Sequence, residues 1–224
     1  VAYIKTVWVN DAAPAVDATN LNKIEQGIFD AHTTADNAAT TLSALPRITT
    51  SALSGGPPAS PADKDIWIAT NVEGSGKRWM FQYDASWVTD AYKWKFIGGS
   101  ELVFQQDGSI TVAATASPAQ GASGTGTVAA VTYNPTRSGI YLARHNCTLS
   151  NTTSVAVSVF LSMGGTNYSG DSSIPVAAGF TPGLAEDEQA CSGGSSIVPT
   201  YSNNNSGTLT VTVRRLVVVP TRII

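Results

Sequence analysis

The sequence predicts a mainly β protein in three segments. These are an N-terminal strand with a trimeric coiled-coil helix, a small three-stranded aromatic β module, and a C-terminal antiparallel β-sandwich of jelly-roll type. Three observations carry this reading. Apolar residues recur at alternating spacings of 3 and 4 from Leu21 to Leu45. Four of the five tryptophans crowd into residues 67–94. From Ser100 onward the chain breaks into short alternating runs separated by Gly, Ser, Pro and Asn.

A chain of 224 residues is long enough for one large domain or two small ones with connectors. Charged residues make up 13%, roughly half the usual share. A net charge of −3 gives no electrostatic drive toward nucleic acid or anionic membrane. No window approaches the roughly 18 apolar residues of a membrane span, so no membrane insertion is expected. Residues 1–16 lack the basic start and apolar stretch of a secretory signal. The expectation is a protein made in a cytoplasm without export. All six lysines precede residue 96, and only five arginines and six acids follow Ser100. This shift sets the expected divisions at 1–46, 47–99 and 100–224.

In the first segment, Val1 to Val9 is β-prone, and Asn10 to Pro14 breaks the chain. A helix is expected from about Ala18 to Leu45, capped by Asp17 or Thr19 and stopped by Pro46. Its apolar positions are Leu21, Ile24, Ile28, Ala31, Ala35, Ala38, Leu42 and Leu45. They form an a/d heptad seam, narrower than the stripe of a helix lying on a globular core. Gly27 and several Thr and Asn weaken such a helix alone, so it needs partners, and the seam suits copies of itself. Ile at both a (Ile28) and d (Ile24) favours three strands. A single amphipathic helix packed on the β region is the competing reading. Phe29 falls at an outward b position and either packs on the leading strand or marks a docking surface with Trp8.

Residues 46–56 read as a linker. Strands are then expected at 66–69, 78–83 and 93–97, with turns at 71–76 and 84–90. A sheet this small has little core, and Trp67, Trp79, Trp87 and Trp94 are the obvious means of stabilising it. A sugar-binding platform of flat aromatic faces is the competing reading.

After Ser100, strands are expected at 102–105, 109–114, 126–133, 139–149, 154–163, 174–178, 196–201 and 208–219. The last is apolar on both faces, hence central or pressed on a neighbouring subunit, and Arg214-Arg215 favours the subunit contact. His145 and Cys147 share the more apolar face of their strand and read as core residues. No third group completes a Cys-His nucleophile. Pairing of Cys147 with Cys191 stays open. Cofactor and Cys/His metal motifs are absent. Glu186-Asp187-Glu188 reads as a solvated loop, with a Ca²⁺ site as the weaker alternative.

Lys5 to Asp11, Pro14 to Ala18 and Asn20 to Ile28 resemble the N-terminal motif of many tailed-phage tail and minor tail proteins. Asp63-Lys64-Asp65-Ile66-Trp67, Trp79, Tyr83 and Trp94 to Gly99 are also typical of phage virion proteins. The resemblance covers about residues 3–30 and 57–99. It implies a virion protein, at the tail tip or baseplate, assembled in the host cytoplasm. Its N-terminal part would attach to other virion proteins, with Trp8 and Phe29 as attachment residues, and its trimeric β head would meet the host surface.

The expected function is therefore a non-enzymatic, homotrimeric phage adhesin that binds host surface glycan or a surface protein. The same architecture also serves a capsid fibre or decoration protein, and a glycan depolymerase is a third reading. Recognition is expected in the loops 115–125, 164–173, 182–195 and 201–207. Two of them supply an aromatic face with amide and carboxylate groups suited to a neutral sugar: Tyr168 and Asp171 in one, Tyr201, Asn203 and Asn204 in the other.

Overall fold

The computed structural model describes residues 18–88, 91–113, 131–151, 155–164, 166–168, 174–176, 181–203 and 208–224. The chain is mainly β with one N-terminal helix, and it divides into two units, Val1–Pro46 and Arg47–Ile224.

The described part of the first unit is the helix α1, Ala18–Ser43. It ends two residues before Leu45, so the expected seam closes at Leu42. Ala44 N–H donates to the Thr40 carbonyl at 3.1 Å and finishes the last turn. The hydroxyls of Thr34, Thr40, Thr41 and Ser43 each bond the carbonyl four residues back. Leu21, Ile28 and Leu42 are 49%, 64% and 70% exposed, so the stripe is not covered. The leading segment, Trp8 included, lies outside the described residues.

The second unit begins with β1 (Ile48–Ala52), a short 3-10 turn at Leu53–Gly55, β2 (Ile66–Val72), β3 (Lys77–Tyr83) and β4 (Trp94–Gly99). It continues through β5 (Leu102–Gln106), β6 (Ile110–Ala113), β7 (Gly139–Asn151), β8 (Val155–Met163) and β9 (Thr166–Tyr168). The last strands are β10 (Ile174–Val176), β11 (Thr181–Cys191), β12 (Ile197–Asn203) and β13 (Thr208–Ile223). One sheet has the order β1-β2-β3-β4-β13-β7-β11, with β5 and β6 also on β13. The second has the order β10-β8-β12, with β9 on β8. Among the described strands every pairing is antiparallel except β1 with β2.

The segment expected to be a linker contains β1. Its residues are half-buried or exposed, as an edge strand allows, which is why its composition looks like a connector. Ser51 explains its attachment: its hydroxyl accepts from Trp67 Nε1 at 2.7 Å and donates to the Gly56 carbonyl at 3.0 Å.

The expected division after Gly99 falls inside the second unit. Gly99 itself sits in a crowded backbone position. At φ +138° its missing Cβ leaves room for the Arg78 carbonyl, which a Cβ would meet at 2.5 Å. Trp67, Trp79 and Phe81 are fully buried, and Trp67 stacks on Phe81 with centroids 5.5 Å apart. They share one hydrophobic cluster with Tyr141, Leu149, Leu161, Leu209 and Ile223. Polar contacts reinforce the join. The Glu73 carboxylate accepts from Tyr133 Oη at 2.9 Å, Thr136 N–H at 3.0 Å and the Thr136 hydroxyl. Arg137 donates to the carbonyls of Leu53 and Ser54.

The acidic loop is also corrected: residues 181–191 form β11, paired with β7 along its whole length. Small residues, Gly183, Ala185 and Cys191, point inward, while Leu184, Glu186 and Glu188 point out. At Gly183 a Cβ would meet Cys147 Sγ at 2.9 Å and Val159 Cγ2 at 3.0 Å, so the second sheet packs directly on this strand. The same register settles the cysteines. Cys191 lies opposite Gly139 and Cys147 opposite Gly183. They are thus eight residues apart, about 27 Å along the strand, and both are free.

Because one sheet and one core run through the second unit, Trp79→Ala is expected to cost about 3–5 kcal/mol. The loss should appear as a lowered midpoint of a single cooperative transition for the β unit. Two separated transitions in calorimetry would contradict the shared core.

Candidate functional site

Alternation along β12 places Ile197, Pro199, Tyr201 and Asn203 among the buried residues. Tyr201, expected in a recognition loop, is 1% exposed and faces β7. The strand simply continues past the expected end at residue 201, carrying Asn203 into the interior as well. Asn203 Nδ2 donates to the Val112 carbonyl at 3.3 Å. Neither side chain offers a surface to a receptor. The backbone of Tyr168 lies in β9 opposite Leu161, while Asp171 and Asn204 lie outside the described residues. Phe29 stands 65% exposed on α1.

What the sequence did not reveal is the partner of Tyr201. Its hydroxyl meets His145 Nε2 at 2.9 Å, across the gap between the two sheets. His145 Nδ1 lies 3.1 Å from the Arg215 carbonyl, which can only accept. Nδ1 therefore carries the proton, and Nε2 accepts from Tyr201. Burial favours this neutral form and pulls the imidazole pKa down to about 4, against a smaller upward effect of the Arg215 carbonyl. Burial likewise pushes the Tyr201 phenol up and the Cys147 thiol up to about 12. An unreactive thiol and a neutral, fully bonded imidazole fit the core role expected for both residues. The inward alternation of Tyr141, Ala143, His145, Cys147 and Leu149 already marked one side of this contact.

The other candidates are structural too. Trp67, Trp79 and Trp94 are 0–4% exposed, so none of the three presents a ring face for stacking on sugar. One face of Trp87 lies under the Arg222 guanidinium, 3.4 Å from the ring centroid, and Arg222 pairs with Asp84 at 3.1 Å. In β11, Glu186 pairs with Arg144 at 2.9 Å, while Asp187 faces the opposite side of the strand. Consecutive carboxylates on opposite faces do not converge on one cation. Among the described residues no group of three or more His, Cys, Asp or Glu is placed to hold a metal ion.

The depressed His145 pKa couples stability to pH. The unfolded imidazole protonates near 6.5 and the folded one near 4, so the unfolded chain binds more protons between these values. Stability is fully present above pH 6.5 and falls toward pH 4, by about 3 kcal/mol from this residue. Asp65, held down to about 2 first by its hydrogen bond from the Arg47 side chain, loses its contribution below that window. Denaturant midpoints at pH 7.5 and 4.5 should therefore converge in His145→Gln. Tyr201→Phe, which leaves Nε2 without its donor, should cost about 1–3 kcal/mol at neutral pH.

No protein-family model and no curated protein matches this sequence. Among solved structures, Eiger TNF from S. frugiperda aligns at TM-score 0.32 and 9% identity, over 54% of this chain and 92% of that one. A protein of the infectious bursal disease virus Gx strain aligns at TM-score 0.37 and 8% identity, over 65% of this chain and 42% of that one.

Proposed function

We propose that this chain is a structural, non-enzymatic protein of a tailed-phage virion that assembles as a homotrimer and binds the host surface. The observation that carries the reading is the exposed heptad stripe of α1, with Leu21, Ile28 and Leu42 all open to solvent. Such a stripe is a cost to an isolated chain and an asset to a bundle of copies. The resemblance of residues 3–30 to phage tail proteins and of residues 57–99 to phage virion proteins supplies the setting. Attachment to the virion falls to the N-terminal segment, with Trp8 and the exposed Phe29 as contact residues. Receptor contact moves away from Tyr201 and Asn203, which the core claims, and rests on Tyr168, Asp171 and Asn204. The ligand class is a neutral surface glycan or a surface protein.

Sedimentation of the full chain at micromolar concentration should give a trimer. Ile24→Asp with Ile28→Asp would place six carboxylates in one small bundle, each costing several kcal/mol if unpaired. The variant should lose helix-dependent association. A wild-type monomer would remove the coiled coil. In parallel, the full chain should adsorb to intact candidate bacterial cells. Tyr168→Ala with Asp171→Ala should abolish adsorption at unchanged Tm. Retained adsorption would exclude this contact site, and release of reducing sugar from the cells would replace the adhesin with a depolymerase.

A further inference from the structure

Among the described residues, the interior between the two sheets contains a positive charge without a negative one. The register of β13 on β7 slips between Thr212 and Arg215, and Val213 there takes φ +47°. The slip turns Arg214 inward, where it is 2% exposed. A guanidinium stays ionised under all ordinary conditions and carries five N–H donors. Here Nη2 makes one long contact, 3.5 Å to the Gly108 carbonyl, and Nε is buried with no acceptor. Among the described residues no Asp or Glu forms an ion pair with it.

Among the groups that feel its charge are His145, Cys147 and Tyr201. All three are neutral at physiological pH, for the reason of burial given above, so none supplies a counter-charge. An unpaired buried charge is among the most costly features a core can carry. A carboxylate from a second copy cannot reach a group that its own chain already encloses. A water molecule would provide an acceptor and leave the charge uncompensated. With no counter-charge among the described residues, a small anion drawn from solution is what an enclosed guanidinium can accept.

We infer that Arg214 holds a small monovalent anion of the halide class in the core between the two sheets, with the unpartnered Nε as its principal donor. Binding of this anion is coupled to folding, because the guanidinium is gathered into a desolvated site only in the folded chain. The inference is independent of the adhesin reading.

Thermal unfolding of the full chain in sodium bromide or chloride, against sodium gluconate at equal ionic strength, tests it. A saturable rise in Tm of roughly 4 °C is expected at a tenfold excess of halide over its dissociation constant. Arg214→Met replaces the charge by an apolar chain of similar length, and should abolish the halide dependence while remaining folded in gluconate. Crystals of the unaltered protein grown in bromide should show an anomalous peak within hydrogen-bond distance of Arg214 Nε. That last measurement decides the matter even if Arg214→Met fails to fold. An equal halide response in the variant, no halide response at all, or only water beside Nε would overturn the site.

Discussion

The pairing of β13 along both of its edges is the constraint on which the rest of the β unit depends. On one edge it takes β6 at 208–211, β5 at 214–218 and β4 at 222–223, in turn. On the other it takes β7 over nearly its whole length. Three strands that are separate in sequence are thus aligned by a single partner. Leu216 and Val218 are fully buried and Val217 is 7% exposed, so the run that reads as apolar on both faces is that of a central strand. Since β4 joins here, the aromatic segment shares its sheet with a strand from the far end of the chain.

A spine of 16 residues cannot remain regular between so many neighbours, and its two irregularities are where polar chemistry enters the interior. The slip between Pro220 and Arg222 follows from proline, which has no N–H to give the ladder. Just beyond it, Arg222 reaches Asp84 and the face of Trp87. The slip at Thr212–Arg215 brings in Arg214. Nearby, the Arg215 carbonyl fixes the tautomer of His145, and His145 in turn fixes Tyr201 on the opposite sheet. One chain of hydrogen bonds therefore sets the position of one sheet against the other, which apolar side chains alone leave less defined.

Features governed by local periodicity were legible in the sequence. The 3–4 spacing gave the helix to within two residues of its end. The alternation of Val157, Val159 and Leu161 gave β8, and the crowding of Trp67, Trp79 and Trp94 gave a buried aromatic cluster. Three described strands, β1, β9 and β11, were not legible, the first and the last for plain physical reasons. β1 lies at a sheet edge and buries little, so Ile48-Thr49-Thr50-Ser51 carries almost no hydrophobic signal. β11 turns Gly183, Ala185 and Cys191 inward beneath a tightly apposed sheet, leaving Leu184, Glu186 and Glu188 to mislead a reading based on hydrophobicity. Tyr201 and Asn203 illustrate a further limit. An aromatic ring beside amides has the composition of a binding loop, yet strand length and cross-sheet partners decide whether it faces solvent, and neither is encoded locally.

The two units owe their stability to different sources. In the β unit the buried polar groups described are mostly satisfied from within the chain, and large aromatics fill the core. The helix has little comparable support. It has no acidic residue in its first turn and no basic residue in its last to offset the helix dipole. Four hydroxyls bond back to helix carbonyls, an arrangement that bends helices more than it stabilises them. The side-chain pairs Gln26–Asp30 and His32–Asp36 contribute about 0.2–0.5 kcal/mol each. Against these stand Gly27 at about 1 kcal/mol and an uncovered apolar stripe. An isolated helix with this balance is marginal in water. The proposed bundle would supply what α1 lacks, since a stripe two apolar residues wide per heptad suits packing against a copy of itself. The weakness of α1 alone and the regularity of its seam are therefore the two properties on which the proposed association rests.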